Sequence, residues 1–243
     1  EAGRARLSSA RCQLETVSAR LAEAREGHFS QPRSSPGLTH ELGGPLTVPP
    51  SPGELYAVLL ERAADLLHKE RGSLTPEQEV MTLGSALDAR DGHRAGYGEH
   101  LAAWAEAIGG MLGCGREEIA DLRRAALLHD LGKICVPEAL LRKRASLTAE
   151  EREVARQVPM VAEQILRPVQ GMQGVAVMLR HRYEQWDGTG YPGGLKGDKI
   201  PMGSRILAVV DAYGAMTTIR SYRTMIYHLD GVAELKRCAG KQF

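Results

Sequence analysis

Residues 129–133 are His-Asp-Leu-Gly-Lys, and residues 186–194 are Trp-Asp-Gly-Thr-Gly-Tyr-Pro-Gly-Gly. An adjacent histidine and aspartate can bind one divalent ion or two, because the imidazole gives one bond and the carboxylate can bridge a pair of metals. The glycines of the second segment permit tight turns with positive φ, whereas Tyr191 and Pro192 give the loop a rigid surface. Together the two segments predict a metal site on a helix and a shaped loop later in the chain.

Helix signals surround both segments. Residues 51–54, 75–78 and 148–151 each place a hydroxyl first and an acidic or amide residue three positions later, which is the pattern of a capping box. Gly72 and residues 113–115 suit the left-handed conformation that closes a helix. Alternation of β-branched residues is nearly absent, so the sequence predicts an all-α fold.

Residues 1–27 differ from the rest in their periodicity. Apolar residues recur there at alternating spacings of three and four, which is a short heptad pattern. The pattern is typical either of a parallel coiled coil, which would make the protein a homodimer, or of a lone amphipathic helix packed on its own domain. Residues 28–52 are rich in Pro, Gly and Ser and predict a linker. The helical domain is therefore expected to span residues 53–243.

The overall charge is nearly balanced. The chain has 31 Lys and Arg against 30 Asp and Glu, a formal net charge of +1 at pH 7, so charge gives no reason to expect nonspecific binding to DNA or to an anionic membrane. No run approaches the roughly 18 apolar residues that a membrane span needs. Any nucleotide ligand would therefore have to be bound by a local site. The protein itself is expected to be cytoplasmic.

From residue 80 to residue 243 the chain resembles the HD-GYP domain family of the HD superfamily. Residues 129–137 are similar to the family segment HDxGKIxIP, and residues 187–194 are similar to its glycine-rich loop. The resemblance implies an HD-domain helical bundle and a metal-dependent phosphodiesterase that hydrolyses the bacterial second messenger cyclic di-GMP. It also implies that Lys133 faces the substrate phosphate.

The resemblance implies a set of metal ligands that this chain holds only in part. Three positions keep a ligand: His129, Asp130 and Asp211. Four positions at which the family has a histidine hold other residues: Tyr97, Val158, Arg182 and Tyr183. Because two or three octahedral metals need several imidazoles and carboxylates each, the remaining set is too small for a metal pair. Arg182 also brings a permanent positive charge to the position of the second ion, where it can neutralise Asp130 or Asp211.

Nearby side chains offer substitute ligands: His93, Tyr97, His181 and Tyr183. His93 precedes Tyr97 by four residues, so the two would share a helical face. His181 is rotated by about 100° around its helix from the position that it would need. The sequence thus favours a protein without a cofactor, and any bound metal would be a single Fe, Mn or other divalent ion.

The chain keeps residues that resemble the family's phosphate-binding residues, although it lacks several of the family's histidines. Arg220 and Arg223 resemble the family's R-x-Y-R segment, and an arginine can hold a phosphate without any metal. The alternative is a solvent-exposed, helix-capping cluster. The loop that contains Gly190, Tyr191 and Pro192 implies, by resemblance, a docking surface for partner proteins such as diguanylate cyclases.

These features predict a degenerate HD-GYP signalling domain that lacks phosphodiesterase activity. It would act as a receptor for cyclic di-GMP or a related nucleotide, or as a protein-interaction module. The alternative is a metal-dependent phosphodiesterase that hydrolyses cyclic di-GMP to a linear dinucleotide through an unusual or mononuclear site. The third interpretation is a pure scaffold, in which the pocket at the family's metal site binds no ligand. Metal content separates the enzyme from the other two, and nucleotide titration separates a receptor from a scaffold.

Overall fold

The computed structural model describes residues 75–91, 93, 96–143, 145–218 and 227–243. Within these residues the chain is helical and has no strand, so the all-α prediction is confirmed. The helices are α1 Pro76–Arg90, α2 Tyr97–Met111, α3 Arg116–Leu127, α4 Glu138–Leu141, α5 Ala149–Arg156, α6 Val158–Leu166, α7 Gln173–Arg180, α8 Met202–Thr217 and α9 His228–Cys238. Two 3-10 helices span Leu131–Cys135 and Gly197–Lys199.

The coiled coil predicted for residues 1–27 and the linker predicted for residues 28–52 lie outside the described residues. The same holds for the capping box at residues 51–54 and the helix end at Gly72. The predicted domain boundaries and the homodimer stay predictions. Over the part of the chain that the structure describes, no helix is both long and apolar enough to span a bilayer.

Two of the predicted helix starts are confirmed in atomic detail. At the start of α1 the hydroxyl of Thr75 accepts a hydrogen bond from the amide of Gln78 at 3.3 Å, and the Gln78 side chain accepts from the Thr75 amide at 2.8 Å. Thr148 and Glu151 repeat the exchange at the start of α5. Each box satisfies two amides that a helix leaves unpaired at its start.

We expect Thr75→Ala to lower the free energy of unfolding by about 1 kcal/mol, because it removes the capping hydroxyl. Ser85→Ala is the matched control, since it removes an exposed hydroxyl that donates to the carbonyl of Met81 within α1 and caps no helix end. Urea denaturation of both variants measures the difference. Equal stabilities for the two would mean that the cap contributes nothing.

The core places the C-terminal end of α3 at the centre of the bundle. The inner face of α3 is fully buried at Leu122, Ala125 and Ala126, and α3 packs against α1, α2, α7 and α8. Close approach depends on small residues: a Cβ atom on Gly109 of α2 would lie only 2.8 Å from Leu122. As a result the residues that follow α3 are enclosed by its neighbours.

Candidate metal centre

His129 and Asp130 lie in a turn directly after α3. Residues 128–130 form this turn, and the 3-10 helix Leu131–Cys135 continues from it. The prediction that the pair lies within a helix was wrong, because the backbone must bend here to bring Gly132 against Val158. A Cβ atom on Gly132 would overlap the carbonyl oxygen of Val158. Both members of the pair are buried, with 4% and 2% of their surfaces exposed.

His129 has one ring nitrogen that is satisfied and one that is not. Its Nδ1 lies 2.9 Å from the carbonyl oxygen of Ala126, and because a carbonyl only accepts, Nδ1 is assigned the proton and donates. Its Nε2 lies 3.1 Å from Oδ2 of Asp130, yet this buried atom has no hydrogen-bond partner among the described residues. At this distance the His129 ring and the Asp130 carboxylate form an ion pair when the ring is charged. When the ring is neutral, the lone pair of Nε2 faces a lone pair of Oδ2. Metal-binding histidines are commonly fixed in this way, with the second nitrogen on a carbonyl.

The charges around Asp130 favour its ionised form. Burial alone would raise its pKa, but His129, Lys133 and His93 outweigh burial and hold the pKa of the Asp130 carboxyl well below its ordinary value. Burial likewise opposes the charged form of His129, whereas the carboxylates of Asp130 and Asp211 raise the pKa of His129 above its ordinary value. The pair therefore attracts positive charge, which a proton or a metal ion can supply.

His93 completes a group of three metal-ligand side chains. Its Nε2 lies 3.1 Å from Oδ2 of Asp130, and the ligand atoms of His93, His129 and Asp130 lie within 4.8 Å of one another. His93 precedes α2, so the predicted shared helical face with Tyr97 was wrong. Even so, the two rings stack with centroids 4.3 Å apart, and this stack holds the imidazole over the site.

Lys133 contacts two carboxylates. Its Nζ lies 2.8 Å from Oδ2 of Asp130 and 2.8 Å from Oδ2 of Asp91. Burial works against the ammonium, but these carboxylates raise the pKa of Lys133 above its ordinary value. The side chain keeps 24% of its surface exposed. Its expected contact with a substrate phosphate stays a prediction.

Arg182 joins the two acidic side chains that the sequence singled out. Its Nη2 lies 3.2 Å from Oδ2 of Asp211 on α8 and 3.5 Å from Oδ1 of Asp130. Nη2 also donates to the hydroxyl of Tyr183 at 2.6 Å, and Nη1 donates to the carbonyl oxygen of His129. The arginine–carboxylate network that the sequence predicted is therefore present.

The glycine-rich loop reaches this network through a stack of side chains. The Tyr183 ring lies beneath the Arg182 guanidinium at 4.5 Å and stacks on Tyr191 with ring centroids 5.2 Å apart. The guanidinium of Arg156 on α5 also lies over the Tyr191 ring, 5.6 Å from its centroid. The rigid part of the loop thus supports the side chain of Tyr183, and through it Arg182.

Backbone hydrogen bonds hold the rest of the loop in shape. The buried Glu184 carboxylate accepts from the amides of Gly193 and Leu195 at 2.6 and 2.9 Å. The amides of Trp186 and Asp187 donate to the carbonyls of Gln242 and Lys241. Of the four loop glycines that the sequence expected to permit positive φ, Gly188 and Gly194 have it, whereas Gly190 and Gly193 do not.

The remaining candidates lie apart from the group or outside the described residues. The His181 ring lies 3.4 Å from Glu184 and is not part of the three-residue group. The hydroxyl of Tyr183 bonds to Arg182. Arg220 and Arg223 lie outside the described residues, so their predicted contact with phosphate stays a prediction.

Sequence reasoning missed two acidic residues beside the site. Asp88 is 4% exposed, and one of its oxygens accepts from the amide of Gly98 while the other has no partner in the described part of the chain. Burial raises the pKa of Asp88 and of Asp91 above the ordinary value. Their i, i+3 spacing at the end of α1 is the signal that could have found them, because it puts both on one side of the helix.

Comparison with known proteins gives a family match and several curated relatives. The family model described as "HD domain" matches residues 81–243. The cyclic di-GMP phosphodiesterase response regulator RpfG of Xanthomonas campestris is 36% identical over 151 residues, which cover 60% of this chain and 40% of that protein. A cyclic di-GMP phosphodiesterase of Thermotoga maritima is 31% identical over 190 residues, covering 76% and 50%.

A further relative differs in its named substrate. The 3'3'-cGAMP-specific phosphodiesterase 3 of Vibrio cholerae is 35% identical over 144 residues, covering 59% of this chain and 31% of that protein. The chain therefore spans half or less of the length of these three relatives. Among solved structures, Bd1817, an HDG"Y"P protein of Bdellovibrio bacteriovorus, has a TM-score of 0.51 and 18% identity, covering 78% of this chain and 60% of that one. This likeness shows the fold alone.

Proposed function

This chain belongs to the HD domain family, and on that premise we propose that it hydrolyses a phosphodiester bond of a cyclic dinucleotide with a single divalent metal ion. The metal would be held by His93, His129 and Asp130. The observation that carries the proposal is the unpartnered Nε2 of His129, which lies buried beside Asp130 and His93. When bound, a divalent ion supplies Lewis-acid activation of water and of a phosphoryl oxygen.

The donor set fits one ion of the first transition series. Two imidazoles and one carboxylate suit Mn, Fe or Zn, and the Nδ1 bond of His129 to Ala126 aims the other nitrogen into the group. Of the three retained ligand positions, Asp211 pairs with Arg182, so His93, one of the substitute ligands expected from the sequence, would be the third donor beside His129 and Asp130. This group of three donors favours the hydrolase over the degenerate domain that the sequence predicted.

The chain's own charged groups orient the site. Asp91 and Asp130 hold the Lys133 ammonium at the exposed edge of the group, where it would bind a phosphate oxygen of the substrate. Lys133 contacts the same Oδ2 atom of Asp130 that would face the metal, so Asp91 would be the carboxylate that keeps the ammonium beside the occupied site.

The substrate class comes from the relatives, whose names specify cyclic di-GMP or 3'3'-cGAMP. Both ligands carry two phosphodiesters in a ring, and the contacts above address phosphate rather than base. Assays with each dinucleotide, followed by chromatography of the linear product, decide between them. Docking of a partner protein such as a diguanylate cyclase on the loop of Gly190, Tyr191 and Pro192 remains part of the proposal, to be tested by binding with a Tyr191→Ala variant.

A second candidate function has its own supporting observation. Lys133 and Arg182 already neutralise Asp130 and Asp211 without any metal, which suits a metal-free receptor for a phosphate ligand. Calorimetry with cyclic di-GMP in the presence of a chelator tests it. Tight binding in chelator, with no product when Mn²⁺ is added, would favour the receptor over the hydrolase.

We expect His93→Ala to weaken Mn²⁺ binding by roughly a hundredfold, because it removes one of three donors. His100→Ala is the matched control, since His100 is exposed, its ring bonds to the carbonyl of Gly96 and lies near Trp104, and it is not part of the three-residue group. Titration of each purified variant with Mn²⁺ gives the affinities. Unchanged Mn²⁺ binding in His93→Ala would remove His93 from the site.

A further inference from the structure

The two oxygens of the Asp130 carboxylate face different cations. Oδ2 lies 3.1 Å from Nε2 of both His93 and His129. Oδ1 lies 3.5 Å from Nη2 of Arg182, which also lies 3.2 Å from Oδ2 of Asp211. The guanidinium therefore occupies the space between the two carboxylates, on the opposite side of Asp130 from the imidazoles.

A carboxylate that bridges two metals must give one oxygen to each. Arg182 prevents this, because a guanidinium has no lone pair for a metal and stays protonated. The side chain is also fixed: it is 5% exposed, and it donates to the His129 carbonyl and the Tyr183 hydroxyl. It cannot leave without breaking both bonds and both ion pairs.

We infer that Arg182 is a built-in cation that takes the place of a second metal ion and sets the stoichiometry of the site at one metal per chain. Asp211 is then a partner of Arg182 rather than a metal ligand. The inference rests on the proposed function, since it assumes that the group of His93, His129 and Asp130 binds a metal. The stacked rings of Tyr183 and Tyr191 would then keep the Arg182 guanidinium in place.

The test is the metal content of the full chain after equilibration with Mn²⁺ and removal of free ion. We expect about one Mn²⁺ per chain in the wild type and about two in Arg182→His, because an imidazole frees Asp130 and Asp211 and adds a donor. Arg182→Lys keeps the charge and should stay at one. Arg237→His is the surface control, because the Arg237 side chain is 71% exposed and pairs with Glu234 on α9, away from the stack that holds Arg182. Electron paramagnetic resonance distinguishes a coupled Mn²⁺ pair from isolated ions.

Asp211→Asn provides a second measurement if Arg182→His does not fold. We expect this variant to keep one Mn²⁺ per chain with an affinity within about threefold of the wild type, because Asp211 is not a ligand. Loss of the ion would overturn the inference, as would two ions in the wild type or one ion in a folded Arg182→His. The proposed function fails in a different way, which is a wild type that binds no Mn²⁺ at all.

Discussion

Asp130→Asn is expected to abolish Mn²⁺ binding and hydrolysis together. The change keeps the shape of the side chain but removes the charge that contacts His93, His129, Lys133 and Arg182. Metal affinity should fall by more than about a hundredfold, beyond the effect of losing an outer-shell contact. The metal-free protein should also lose about 3 kcal/mol of stability, because buried cations are left without their partner.

Asp198→Asn is the matched control for this prediction. Asp198 makes the same type of contact, a 3.3 Å ion pair with Arg205, but its side chain is 88% exposed, so the change should cost less than about 1 kcal/mol. Mn²⁺ titration, product chromatography and urea denaturation measure the three effects. Retained hydrolysis in Asp130→Asn would contradict the metal site, and retained stability would contradict the electrostatic account of the metal-free network.

Gly132→Ala is expected to destabilise the domain by about 3 kcal/mol and to lower its Tm by about 6–12 °C. The added methyl group would overlap the carbonyl oxygen of Val158 and lie 2.8 Å from the carbonyl carbon. Both partners are backbone atoms, so the 3-10 helix and α6 must move apart. The turn of His129 and Asp130 would move with them.

Gly110→Ala is expected to stabilise the domain, in contrast to Gly132→Ala. Among the described residues, a Cβ atom there would meet no heavy atom within 4 Å apart from its chain neighbours and the backbone of its own helix. Alanine also favours the helix, so stability should rise by up to about 1 kcal/mol. Thermal unfolding of both variants gives the comparison. A Gly132→Ala protein as stable as the wild type would mean that the contact with Val158 relaxes without cost.

Local features of the fold were predictable from the sequence, and long-range features of the site were not. The caps at Thr75 and Thr148 depend on residues three positions away, so their patterns can be recognised in the sequence. The contact of Lys133 with Asp91 and that of Arg182 with the His129 carbonyl join residues 42 and 53 positions apart. Such contacts depend on how helices pack, and no local pattern encodes them.

His93 illustrates the same limit. Its spacing from Tyr97 predicted a common helical face, but α2 begins only at Tyr97. The imidazole lies 3.1 Å from Asp130 and stacks on the Tyr97 ring. The sequence offered His93 as a substitute ligand, but no local pattern could show that its ring contacts Asp130, 37 positions later.

The hydrogen bonds that shape the glycine-rich loop come from groups other than the three metal-ligand side chains. Glu184 and the carbonyls of Lys241 and Gln242 hold the loop, and none of them belongs to the three-residue metal group. A substitution at His93, His129 or Asp130 therefore leaves these supports in place, and the loop is expected to keep its backbone shape in a variant that binds no metal.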